Sequence, residues 1–149
     1  MIRLEIIGVE ELRRKFAQFP NQFHAAMSET LRASLLTLTE SVPPYPPQWA
    51  NSQYIRTGML GRSLGSGQQG GGSGQADIHQ VQMGPKMSQA TWGTRLEYAP
   101  HVIGEGTQAP MFKKRGWYTV LTIANKAQAK IGRLFNIMAE RLAKWLDAQ

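Results

Sequence analysis

The run "VPPYPP", Val42 to Pro47, constrains this chain more than any other feature. Four prolines in six positions remove four backbone donors and push each preceding residue into extended geometry. No helix continues through such a run. Upstream of it, Phe23, Met27, Leu31, Leu35 and Leu38 recur at steps of three and four, which predicts one long amphipathic helix. Pro20 suits its first turn, and the prolines stop it. A one-sided helix of this length cannot bury its apolar stripe alone, so the rest of the chain must supply a surface for it. The prolines therefore read as a rigid stop within a fold. A proline-rich ligand for a recognition domain is the other reading of such a run.

Three segments offer that surface. "IRLEII" alternates Ile2, Leu4 and Ile6 against Arg3 and Glu5, the pattern of a half-buried strand. "IHQVQM" sets His79, Val81 and Met83 against Gln80 and Gln82. "TWGTRLEY" sets Trp92, Thr94, Leu96 and Tyr98 on one face, and the "GPKM" turn between these two runs predicts an antiparallel hairpin. In "EELRRKFAQF", Leu12, Phe16 and Phe19 keep helical spacing up to Pro20. From Trp117 onward, Leu121, Ala124, Ala127, Ile131, Leu134, Met138, Leu142 and Trp145 predict a second long helix, weakened by Gly132. The fold class expected is α+β: a small antiparallel β-sheet flanked by a long N-terminal helix and a long C-terminal helix, in a single domain over residues 1–149. Phe135, Met138, Trp145 and Leu146 give the last helix more apolar surface than one sheet face needs, so Trp145 and Leu146 are candidate subunit contacts.

The stretch "GSGQQGGGSGQAD", residues 65–77, holds six glycines in thirteen positions. It is not a phosphate loop, which needs Lys and Ser or Thr after its last glycine at the start of a helix. It is not a linker, because the elements before it cannot bury their apolar faces without those after it. It is expected to be a tip between adjacent sheet elements. Gly67, Gln68, Gln69, Gly70, Gly71, Gly72, Ser73 and Gly74 are candidate assembly contacts, since ordering so much glycine asks for a partner.

Chemistry has little to work with. The chain has no cysteine, which excludes disulfides, thiolate zinc sites and cysteine nucleophiles. His24, His79 and His101 show no metal-pair spacing, and Glu97 and Glu105 are the only acids between Asp77 and the last helix. No catalytic residue, metal or cofactor is expected. "MIRLEIIG" is too short and charged for a signal peptide, and no apolar run spans a bilayer, so a protein used without secretion and away from membranes is expected. Net charge is +7. It gathers at Arg13 to Lys15, at Lys113 to Arg115, and at Lys126, Lys130 and Arg133. Solvated faces account for such groups, and nucleic acid or an acidic protein surface is the functional alternative.

Two segments, "YIRTGMLGRSL" and "WGTRLEYAPHVIGEGT", occur in an order that resembles the tail-component family of long-tailed bacteriophages, its tail-completion or tail-terminator neck proteins. The matching residues are Tyr54, Thr57, Gly58, Leu60, Ser63 and Leu64, then Gly93, Thr94, Tyr98, Ala99, Gly106 and Thr107. The sequence departs from the family at Gly104 and Glu105, where an acidic-aromatic pair is the rule, and in its longer glycine-rich insertion. Core packing and turn geometry would also explain each of these residues. The resemblance implies a structural virion protein, assembled in the host bacterial cytoplasm. Copies would form a hexameric ring that caps the tail tube and joins it to the head-tail connector. Its partners would be copies of itself, the tail tube protein, the connector or stopper protein, and genomic DNA passing through the lumen. A head-side stopper or adaptor is the alternative within that class. A small basic nucleic-acid-binding protein is the alternative outside it, disfavoured because aromatics do not interleave with the basic groups along the sequence. A hydrolase is a weaker rival still.

Overall fold

A computed structural model describes residues 1–7, 20–53, 55–66 and 74–148. Leu12, Phe16 and Phe19, the basic group Arg13 to Lys15, Tyr54 and Gly67 to Ser73 lie outside the described residues, and so do the expectations resting on them.

Strands β1 (Ile2–Ile7), β2 (Ile78–Met83) and β3 (Ser88–Thr94) form one antiparallel sheet in the order β1-β3-β2. The hairpin expected from the sequence is β2–β3, closed where the Gly84 N–H donates to the Met87 carbonyl at 3.0 Å. β1 takes the other side of β3, with Leu4 opposite Trp92 and Ile2 opposite Thr94. Period two then puts Ile2, Leu4, His79, Val81 and Trp92 on one face. Arg3, Glu5, Gln80, Gln82 and Gln89 occupy the other. On that polar face Arg3 and Glu5 pair at 3.4 Å, and Gln89 donates to Gln82 at 3.1 Å. Ile78 and Thr91 lie on this second face too and are buried, so its polar part is Arg3, Glu5, Gln80, Gln82 and Gln89. Gly93 sits where a Cβ would overlap the Ile2 carbonyl oxygen, so any side chain there would prise β1 from β3.

The apolar face carries α1 (Pro20–Glu40). Its stripe is the expected one, with Phe23, Met27, Leu31, Leu35 and Leu38 all buried. Beside them lie buried hydroxyls that sequence periodicity ignores. Thr30, Ser34, Thr37, Thr39 and Ser41 each donate to the carbonyl four residues back, so their burial leaves no donor unpaired. Thr39, its proton committed to Leu35, accepts the indole N–H of the fully buried Trp92 at 2.9 Å.

Helix α5 (Val120–Asp147) packs along α1. Lys130 meets Glu40 at 2.6 Å and Arg141 meets Glu29 at 3.6 Å. Each pair of positions is eleven residues apart on its own helix, and they run in opposite directions. The two helices are therefore antiparallel and in step. These pairs are exposed and contribute little stability themselves. The helix starts at Val120 and not at Trp117, because Thr119 caps it: its hydroxyl accepts the Thr122 N–H, and the Thr122 hydroxyl accepts the Thr119 N–H. From Ala127 onward the buried face is the expected one, and it differs at the start of the helix. Ile123, Ala127, Met138 and Leu142 are buried, and Leu121 is exposed.

Three helices of five residues fill the connections: α2 (Met59–Ser63), α3 (Ala99–Ile103) and α4 (Pro110–Lys114). Two expectations are corrected here. The strand expected over Trp92 to Tyr98 ends at Thr94. Asp77 accepts the Arg95 N–H and Thr94 accepts the Leu96 N–H, which turns the backbone out of the sheet, and Pro100 then opens α3. Tyr98 caps that helix and is exposed instead of ending a buried strand face. The glycine-rich segment, expected between two sheet elements, joins α2 to β2. Its stems touch: the Asp77 N–H donates to the Ser63 carbonyl at 2.8 Å, and a Cβ on Gly65 would lie 2.6 Å from the Gln75 backbone. Among the described residues no helix is long and apolar enough to cross a membrane.

Candidate functional site

The proline segment does not only stop α1. It runs back across the molecule, and its Tyr45 hydroxyl accepts the Gly61 N–H of α2 at 2.6 Å. The Tyr45 ring lies against Trp117, centroids 4.9 Å apart, and Phe112 of α4 meets Trp117 edge-on at 5.8 Å. Arg56 lies over this group, 5.5 Å from the Trp117 centroid and 5.9 Å from that of Tyr45. Its guanidinium donates to the Pro46 carbonyl. Sequence places these rings far apart, and the return of the proline segment assembles them.

A second cation–ring pair adjoins the first. Asn51 adopts φ +70°, a left-handed conformation that asparagine tolerates, in a turn closed by the Ser52 N–H on the Trp49 carbonyl at 3.1 Å. That turn presents Trp49 outward, and Arg115, just past α4, stacks on it at 4.8 Å. A depression of about 370 Å³ lies between Trp49, Met111, Phe112 and Arg115. A neighbouring one of about 650 Å³ is lined by Tyr45, Pro47, Ile55 and Arg56, and both share Ser52 and Gln53. The basic residues and aromatics that do not interleave along the sequence do so in space.

The motif residues surround this region. No family model matches the chain. The comparisons with curated proteins and with solved structures found no match either. The roles of these residues therefore rest on geometry. The Thr94 hydroxyl donates to the Ser63 hydroxyl at 2.7 Å, so the two segments singled out in the sequence are joined in the core. Leu60, Leu64 and Ala99 are buried. Gly58 caps α2 at φ +70°, a left-handed geometry that glycine adopts without steric cost. Thr57, Gly58, Leu60 and Tyr98 line a cleft with Arg56 and Trp117. Thr107 donates to the Pro100 carbonyl at 2.9 Å, leaving no room for a side chain on Gly104, and Gly106 turns at φ +73°. Gln108 completes this connector by donating to the carbonyls of Val102 and Trp117 at 2.8 and 3.1 Å.

The candidate assembly residues are more scattered. Gly74 is exposed at φ +73°, ahead of β2. Leu146 packs against the core, so part of the apolar surplus expected at the end of α5 is used internally, and Trp145 is half-buried. Among the described residues no three His, Asp or Glu side chains gather as a metal site would need. His79 and Tyr118 stand out among titratable groups. Burial, with a smaller push from the Arg32 guanidinium, holds His79 below its ordinary 6.5. Burial, and less strongly Tyr45, raises Tyr118 well above the usual tyrosine range. Neither His79 Nδ1 nor the Tyr118 hydroxyl has a hydrogen-bond partner among the described residues.

Sequence reasoning missed Trp49, Arg56, Arg115 and Trp117 as a group. The one available signal was local: "QWANSQYIRTG" and "MFKKRGWY" each hold a tryptophan within a few positions of an arginine.

Proposed function

We propose that this protein is a structural component of a phage head–tail junction, a tail-completion or tail-terminator protein whose copies form a hexameric ring. In that role it caps the tail tube and joins it to the head connector. The observation that carries the reading is the use made of the ordered motif. Ser63 and Thr94 bond to each other in the core, and Gly58, Gly93, Gly106 and Thr107 serve turns and close backbone approaches. Such residues hold a module's shape, as a repeating ring subunit requires, and leave contacts to the surface. A ring is built from head-to-tail contacts, so each copy carries two different complementary surfaces. Trp145 and the glycine-rich tip are candidates for one of them. A head-side stopper or adaptor would use the same construction.

Native mass measurement and imaging of the purified chain, alone and with tail tubes, test this. A closed ring in either condition is expected, and only monomers in both would overturn it. Trp145→Asp should weaken assembly and spare the fold. Leu146 is unsuitable for that test, since it packs on the core.

A small basic nucleic-acid-binding protein is the second reading. The stacked pairs Arg115–Trp49 and Arg56–Trp117 favour it more than the sequence did. A stable monomer that binds DNA tightly would support it.

A further inference from the structure

The face that carries Trp49 is unbalanced in charge. Arg56 and Arg115 line it, and Lys113 and Lys114 precede Arg115 in the last turn of α4. Among the described residues the ion pairs are Arg3–Glu5, Lys130–Glu40 and Arg141–Glu29, so no carboxylate pairs with any of these four cations. The same face is rich in exposed apolar side chains. Trp49 is 60% exposed, Ile55 82% and Met111 51%, and they border the two adjoining depressions. Those depressions have the size of ordinary ligand pockets.

The face is also built in advance of any partner. Arg56 is held by the Pro46 carbonyl and two rings, Tyr45 by the Gly61 N–H, and Trp49 by the Asn51 turn and the Arg115 stack. Prolines stiffen the segment that carries most of it. A preformed surface loses little side-chain freedom on binding.

We propose that this face docks a short acidic and apolar segment of a protein partner. The segment's carboxylates are received by Arg56 and Arg115, and its apolar side chains by Trp49 and Met111. Charge complementarity fixes the sign of the occupant. An arginine lying on a ring keeps outward N–H donors, which suit a carboxylate's two oxygens. The apolar content fixes its class. Bases stack on flat rings, and Ile55 and Met111 have none, whereas Trp, Met and Arg together are the side chains enriched where proteins meet. The docking face stands apart from the ring reading: a monomer with this face, or a ring without a ligand for it, is equally consistent with the geometry.

The experiment uses fluorescence anisotropy on the full chain with three labelled probes. One is a pool of nine-residue peptides alternating Asp or Glu with Leu or Trp. The second is the same pool with Lys or Arg in place of the acids. The third is a twelve-nucleotide thymidine strand. Saturable binding of the acidic pool is expected, with the basic pool at least tenfold weaker. Arg115→Glu and Trp49→Ala change exposed side chains and should each weaken the acidic pool by roughly tenfold, the loss of one charge-assisted contact or one anchor. Thermal melts of both variants should match the parent. No saturable binding of the acidic pool, equal binding of the basic pool, or binding unchanged by both substitutions would overturn the proposal. Tighter binding of the thymidine strand than of the acidic pool would overturn it in favour of a nucleic-acid surface. Self-association abolished by Arg115→Glu without any peptide binding would overturn it in favour of a second copy.

Discussion

The Thr94 hydroxyl donates to the Ser63 hydroxyl across 2.7 Å in the core, and Ser63 passes its own proton to the Leu60 carbonyl at 2.8 Å. The end of β3 is tied in this way to α2, a five-residue helix also held by Tyr45 at Gly61 and by the Asp77 N–H at Ser63. Thr94 also accepts the Leu96 N–H at 3.1 Å, so it terminates the strand as well as anchoring the helix. Replacing Thr94 by Val strands two polar groups and should cost about 1–3 kcal/mol. Ser63→Ala should cost less, because the Thr94 proton can swing toward Asp77 Oδ2 at 3.5 Å. The double variant should lose less than the sum of the two. Urea unfolding of the three variants checks this, and strict additivity would mean that the bond carries no coupling.

Gly132 lies inside α5 with no atom within 4 Å of where a Cβ would stand. No packing reason holds a glycine at this place. Gly132→Ala should raise stability by about 0.5–1 kcal/mol through helix propensity and a less free unfolded chain. A lower thermal midpoint for this variant would show that the position serves a contact outside the monomer.

The Tyr118 hydroxyl is buried without a partner among the described residues. Tyr118→Phe keeps the ring against Trp117 and removes the unpaired group. Its unfolding free energy should equal or exceed that of the parent, by up to about 1–3 kcal/mol. A clear loss in calorimetry would show that the hydroxyl has found a bridging water.

His79 titrates below its ordinary 6.5 in the fold, because burial and Arg32 disfavour the imidazolium. A lowered folded-state value means that the unfolded chain takes the proton first. The contribution of neutral His79 is present above 6.5 and lost as pH falls through that value toward the folded-state one. The parent should therefore lose more stability than His79→Gln between about pH 7 and pH 5, a window in which most carboxylates stay charged. Denaturant midpoints across that range decide it, and parallel profiles would remove His79 as the cause.

The sequence made α1, the β2–β3 hairpin and α5 legible for one reason: each is a long run with a single apolar period. Phe23 to Leu38 gave the apolar stripe of α1, but not the buried Thr30, Ser34, Thr37 and Thr39, because the helix is covered by α5 as well as by the sheet. On α5 the buried face departs from the sequence pattern near its start, where Ile123 is buried and Leu121 is exposed. The helix begins only at the Thr119 cap, and a spacing rule does not say which of two neighbouring stripes meets a partner helix. The strand end at Thr94 was hidden, because the group that turns the chain at Arg95, Asp77, arrives from eighteen positions away. The cation–ring face was hidden for the same reason. Nothing local to Tyr45 says that Trp117 will lie 4.9 Å from it.

The closed stem of the glycine-rich segment has a consequence for how this protein could change. Ser63 and Asp77 are bonded, and Gly65 meets Gln75, so the two stems of the segment are fastened to each other. Closing a loop on fixed ends costs only about 0.6 kcal/mol more for each doubling of its length. A tag or foreign epitope inserted between Ser66 and Gly74 should therefore leave the thermal midpoint close to that of the parent, because the bond that holds α2 to the start of β2 lies outside the insertion.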